Sequence, residues 1–292
     1  MGPWIALVIG LLAGAHTSTW GMYKDSPHEG FGWPRYFRSI VVSALAALAW
    51  QLAVGLDLTS AAGRFVLFGL TYVTERGLVE LWKGYLREED QSKYFIPMQL
   101  HVMGRVVKSR RVRFTVAAGL VALVVGVAWG LDALQRSTSL SPLTAVLLVG
   151  SVGGWLSAFG GAFKDAPIEG FETLKFFRSP LVALGWALIL ALFTSQYLFI
   201  ALAGLGYTVA TIETYKTFFF PHKPRGKFAG KPILFPPLVR WRYRFAPLYA
   251  AIWLAVLANL GLALGEPRPG LLGGAPDTRA ASAGATASGL AP

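Results

Sequence analysis

"KDSPHEGFGWPRYFRS", from Lys24 to Ser39, and "KDAPIEGFETLKFFRS", from Lys164 to Ser179, agree at nine of sixteen positions at a constant offset of 140. Chance gives roughly one identity, so the chain reads as an internal duplication. Each copy follows a long apolar stretch, and counting outward from the two copies sets the fold.

The chain has 292 residues, 54% of them hydrophobic and 14% charged, with a mean hydropathy of +0.51. That balance lies outside the soluble globular range and indicates a polytopic membrane protein. There is no cysteine, which removes disulfides, thiolate metal sites and cysteine nucleophiles. A helix needs about 17–25 apolar residues to cross the hydrocarbon, where every backbone N–H and C=O must be bonded within the chain. Eight stretches qualify, at 3–21, 40–57, 60–82 and 113–133, then 141–162, 180–195, 197–215 and 244–265. The expected fold is an all-α polytopic membrane protein with eight transmembrane helices in two tandem four-helix repeats, 1–135 and 136–266. A Gly, Ala, Pro and Ser-rich tail, 267–292, is expected to be disordered. Residues 1–21 lack the basic start of a signal peptide and are kept as a span.

Lys and Arg resist translocation, so their placement sets orientation. Four loops, 21–39, 83–113, 164–179 and 216–244, hold 22 of the 27. This puts those loops in the cytoplasm and both termini outside. An even number of spans per unit makes the repeats parallel, related by an axis along the membrane normal. The net charge of +12 is thus a membrane signature, and nucleic acid is not expected as a partner. The segments 93–114 and 226–245 interleave basic and aromatic residues, as suits contact with anionic lipids of the cytoplasmic leaflet. An integral protein of a bacterial or other plasma membrane fits this pattern, with an oligomer or a partner subunit compatible with it.

Within each motif, Asp25 and Asp165 are placed to cap a short helix. Pro27 and Pro167 fall in its first turn, and Gly30 and Gly170 can end it. A second amphipathic run, with Phe171, Leu174 and Phe177 in the second copy, is expected to lie in the interface. The plain reading is architectural, a cap and a turn with ion pairs. The functional reading makes Asp25, Glu29, Asp165 and Glu169 two acidic clusters facing each other across the pseudo-twofold axis, able to hold a divalent cation. Lys24, Lys164, Arg38 and Arg178 would then be the flanking cations. A second repeated element, "ELWK" (Glu80–Lys83) and "ETYK" (Glu213–Lys216), either pairs with itself along the helix or brings Glu80, Lys83, Glu213 and Lys216 to the mouth of the same site.

Two features are unrepeated. Glu75 and Arg76 fall at membrane depth, where Arg76 can reach Glu80, and His16 stands where the second copy has Leu156. Both read more simply as packing groups than as ligands. No H-E-x-x-H, P-loop, G-x-S-x-G or Rossmann fingerprint is present. The reading preferred from sequence is a protein that binds and moves an ion or anionic amphiphile at a cytoplasmic-facing site. Alternatives are a metal-dependent enzyme acting on a phosphate-bearing lipid, and a structural scaffold subunit.

Overall fold

The computed structural model describes residues 1–220 and 226–274. It is an all-helical bundle with one two-stranded hairpin: α1 (Gly2–Glu29), α2 (Trp33–Val54), α3 (Ala61–Leu81), β1 (His101–Val102), β2 (Arg105–Val106), α4 (Arg110–Ser137), α5 (Pro142–Gly150), α6 (Val152–Glu169), α7 (Thr173–Leu190), α8 (Tyr197–Thr214), α9 (Pro236–Trp241) and α10 (Ala246–Gly265). Serines 60, 109 and 141 cap α3, α4 and α5 by accepting the amide of the residue three positions on, satisfying one of the orphan N–H groups of each helix start.

Seven of the helical rods, with α5 and α6 counted as one, are long and apolar enough to cross a membrane. The eighth expected span, α3, falls short because it carries Arg64, Thr71, Thr74, Glu75, Arg76 and Glu80. It lies inside the bundle for most of its length. Phe65, Leu67, Leu70, Tyr72 and Glu75 are each no more than 1% exposed.

The centre of the molecule is the crossing of α3 and α8. A Cβ on Gly206 would lie 2.1 Å from the Gly69 carbonyl oxygen, and one on Gly69 would lie 2.7 Å from the Ala203 Cβ. The absence of side chains there lets the backbones touch. Tyr207 donates its hydroxyl to the Phe65 carbonyl at 2.9 Å and stacks on Phe65. On either side the same packing occurs twice at the offset of 140. Gly14 of α1 seats against Ser39 and Ile40 of α2, and Gly154 of α6 against Ser179 and Pro180 of α7.

The fourth helices touch both halves: α4 meets the π-helical turn after α3, and Tyr249 and Trp253 of α10 bond Thr214 of α8. α4 packs along α8, and α10 along α3 and α1. At one contact with the opposite half, the Gln135 amide oxygen accepts from the Tyr197 N–H at the start of α8. At the other, Glu266 accepts from the Ala61 N–H at the start of α3. These two bonds join the segments on either side of residue 135.

The structure redraws the motif. No separate short helix starts at Asp25 or Asp165. α1 and α6 run on through both residues and through Pro27 and Pro167 to Glu29 and Glu169. Pro27 cannot bond the Tyr23 carbonyl four residues back. That carbonyl instead accepts from the Arg242 Nη1 at 3.1 Å, so the helix need not break. Gly30 (φ 77°) and Gly170 (φ 85°) do end the helices, in a conformation that favours glycine. The amphipathic run is likewise no interfacial helix, since Trp33 and Thr173 open the spanning helices α2 and α7. The start of the expected tail is also ordered: Gly270 and Leu272 donate backbone N–H groups to the carbonyls of Leu192 and Ala191. Residues 275–292 of that tail lie outside the described residues.

Candidate functional site

The basic loops close over one end of α1, α3, α6 and α8. They are pinned to each other, the Phe95 N–H bonding the Lys227 carbonyl at 2.7 Å and the Lys231 Nζ bonding the Ser92 carbonyl at 2.8 Å. The acidic run at 88–90 serves this closure. Glu88 pairs with Arg113, and Glu89 with Arg87 and Lys93. Beneath the loops lies a cavity of about 550 Å³ bounded by those four helices.

Most of the residues singled out from sequence meet in or beside this cavity, with partners that differ from those expected. Lys24 does not serve its neighbour Asp25. It crosses to Glu213 of α8 at 3.3 Å, and Glu213 also takes Lys216 at 3.4 Å. Asp25 and Glu29 are bridged by Lys227, at 2.8 and 2.7 Å. Asp165 and Glu169 are bridged by Lys175, at 3.2 and 2.6 Å. An ammonium group thus already occupies each carboxylate pair, where a divalent cation was expected. Among the described residues no three His, Cys, Asp or Glu side chains converge on a metal-sized site.

The two repeated Glu/Lys elements behave differently. Glu213 and Lys216 pair along their helix, whereas Glu80 is taken by Arg76 at 2.5 Å and Lys83 is left over. Trp50 Nε1 donates to Thr74, and Trp186 Nε1 to Thr211, at 2.9 Å each. This fixes α3 and α8 in register at an offset of 137, whereas "ELWK" and "ETYK" are 133 apart. In the packing register Arg76, not Glu80, stands opposite Glu213. Arg76 also lies over the Trp20 ring, 5.1 Å from its centroid.

Two lysines on the cavity wall have no carboxylate within 4 Å among the described residues. Lys164 touches only the Met98 sulfur at 3.9 Å, and Lys83 makes no hydrogen bond or ion pair. Lys83 sits in the π-helical turn just beyond α3. Burial lowers its pKa to about 8 against the opposing pull of Glu80. Lys227 goes the other way. Burial alone would lower it, but Asp25 and Glu29 outweigh that and hold it above the ordinary lysine value.

His16 is a packing residue: its Nδ1 is 3.0 Å from the Tyr72 hydroxyl, and its ring stacks on Tyr249 at 4.1 Å. Arg38 and Arg178 lie away from the central cavity, in smaller side pockets. Sequence reasoning missed Lys227 and Lys175. Lys175 carried a signal, because the position offset by 140 is Arg35, also basic and 3.7 Å from Glu29. Lys227 carried none beyond being one of many loop lysines. Comparison of the chain with protein-family models, with characterised proteins and with solved structures gives no significant match.

Proposed function

We propose that this integral membrane protein holds an anionic amphiphile in the central cavity, on the cytoplasmic side, and moves it across the bilayer. The observation that carries the reading is the pair Lys83 and Lys164. An ionised group turned into a largely apolar cavity is costly to leave unpaired. Here five cations, Lys24, Arg76, Lys83, Lys164 and Lys227, share the wall with four carboxylates, and Lys83 and Lys164 have no carboxylate within 4 Å among the described residues. A bound anion would supply the missing charge. The apolar part of the wall, Trp20, Val73, Ile96, Leu205 and Val209, suits the chain of an amphiphile better than a bare hydrated ion.

The duplication and its topology belong to this reading. The recurrence of glycine contacts at the offset of 140 supports two fused copies of one four-helix unit. The bias of Lys and Arg supports cytoplasmic loops with both termini outside. The cavity then lies where the copies meet, as in transporters built from repeats. Lys24–Glu213 bridges the copies, and exchanging it for contacts to a bound anion would free them to move. Lys227 and Lys175 neutralise the acids, so a metal-dependent reaction is the less favoured reading.

Movement is tested in proteoliposomes carrying phosphatidylglycerol labelled with a dithionite-reducible fluorophore. Wild type is expected to expose the inner-leaflet label to external dithionite faster than empty vesicles. A Lys83→Met/Lys164→Met double variant is expected to match empty vesicles. Equal rates for wild type and empty vesicles would remove the transport part of the reading.

A further inference from the structure

Beside the central cavity two of the smaller pockets, one in each half, are built largely from positions offset by 140, and a third, of about 310 Å³, adjoins the second-half one and adds Lys24 and Glu169. The first, of about 110 Å³, includes Asp25, Glu29, Arg35 and Arg38. The second, of about 140 Å³, includes Asp165, Lys175 and Arg178. The pair would be equivalent if the copies had stayed alike, but their charges have diverged. Six cations line the first, Arg35, Arg38, Arg76, Lys83, Arg87 and Lys227, against two carboxylates. The second has three cations, Lys175, Arg178 and Lys216, against Asp165, Glu172 and Glu213. Two exchanges account for much of the difference. Gly32 faces the first pocket where Glu172 faces the second, and in the register of α3 and α8 Arg76 faces the first where Glu213 faces the second.

Both carboxylates of the first pocket are already held by Lys227. Arg87 is engaged by Glu89. Arg38 has no carboxylate within 4 Å among the described residues, and its Nε is buried without a hydrogen-bond partner. The acid it feels most is Glu75, which is itself paired with Arg76 at 3.8 Å. Lys83 lines this pocket as well as the central cavity, so the two spaces share an unpaired cation. At the pocket's rim α2 begins with Trp33. The stripe Trp33, Phe37, Val41 and Leu45, at i,i+4 spacing, is 51–61% exposed along the outside of the bundle.

We infer that the first-half pocket, and not its second-half counterpart, is a phosphate site that takes the phosphomonoester or diphosphate head of the amphiphile. This rests on the anionic-amphiphile reading above and names its chemistry. A guanidinium offers two N–H groups in a fork that matches a phosphate, and Lys83 adds a point charge. The small volume suits a compact anion. The α2 stripe gives the attached chain an apolar track outside the bundle while its head is in this pocket, before the head passes Lys83 into the central cavity.

The test uses the full-length protein in phosphatidylcholine nanodiscs, titrated with dodecyl phosphate and, separately, with inorganic pyrophosphate, and read by tryptophan fluorescence. For dodecyl phosphate, Arg38→Gln is expected to weaken binding at least tenfold and Arg178→Gln less than twofold. Arg38→Lys, which keeps the charge and loses the fork, is expected to fall between wild type and Arg38→Gln. It serves as the informative variant if Arg38→Gln unfolds. Dodecyl phosphate binding at least tenfold tighter than pyrophosphate supports a lipid source. Equal, Arg38-dependent binding of pyrophosphate supports the same site with a soluble phosphate as its source. Wild-type binding that is unchanged by Arg38→Gln, or weakened equally by Arg178→Gln, overturns the first-half site and leaves the central-cavity reading standing. Failure of wild type to bind either probe overturns both.

Discussion

Lys24 of α1 and Glu213 of α8 form an ion pair of 3.3 Å between residues 189 positions apart, and it joins the two halves of the chain across the central cavity. Glu213 also holds Lys216. Removing the acid would leave two half-buried lysines facing each other, whereas removing Lys24 leaves Glu213 still paired. Breaking a buried pair from one side costs about 3–5 kcal/mol, and partial exposure reduces this to about 1–3 kcal/mol here. Glu213→Gln is therefore expected to lower the thermal unfolding midpoint in detergent clearly more than Lys24→Met. Equal or reversed effects would show that the pair does not organise the interface.

Lys227 holds Asp25 and Glu29 together and ties the 226–235 loop to the end of α1. Lys227→Met leaves Asp25 without its counter-charge and Glu29 with only the exposed Arg35, and hydrogen exchange in residues 226–235 is expected to rise at least tenfold. Its folded pKa is raised, so its contribution is fully present below the unfolded value of about 10.4 and is lost as pH rises through the higher folded value. No loosening from this lysine is expected between pH 7 and 9.

The tight crossing at Gly69 and Gly206 has no room for a methyl group. Gly206→Ala is expected to destabilise by about 1–3 kcal/mol, the range for overpacking. Gly119 of α4 meets nothing within 4 Å. There Gly→Ala is expected to be neutral or to stabilise by up to about 1 kcal/mol through helix propensity. Chemical unfolding of both variants in mixed micelles checks the contrast, and similar losses in both would contradict it.

Lys83 gives anion binding a pH dependence of known sign. In the free protein it loses its proton as pH rises through about 8, in a setting of Glu80, Arg76, Lys227 and Asp25. A bound anion favours the charged form, so binding takes up a proton and weakens as pH rises. Affinity for dodecyl phosphate is expected to fall about tenfold per pH unit above 8. Lys83→Met should bind more weakly at pH 7 and show a flat profile. A flat profile in wild type would place the anion away from Lys83.

Much of the architecture was legible because membrane crossing leaves a simple signal. The apolar stretches marked the helices, and Gly30 and Gly170 marked where α1 and α6 stop. Local rules failed where a distant residue overrode them. Pro27 reads as a helix start, but Arg242 takes the carbonyl that the proline leaves free. The stretch 60–82 reads as one more apolar span, but α3 keeps its polar groups by lying between α1, α2, α8 and α10. In the site, the spacing of Asp25 and Glu29 was readable, but the lysine that closes them comes from a loop 198 residues later. The contacts that α4 and α10 make with the opposite half leave no mark in two stretches of sequence whose patterns look alike.

Binding of the anion by Lys83 and Lys164 is checked by a native mass spectrum of the full-length protein released from phosphatidylcholine nanodiscs containing dodecyl phosphate, comparing wild type with Lys83→Met/Lys164→Met. One tightly held alkyl phosphate is expected on wild type and none on the double variant, with both equally folded. An alkyl phosphate retained equally by both would contradict this binding, and so would a wild type that carries none.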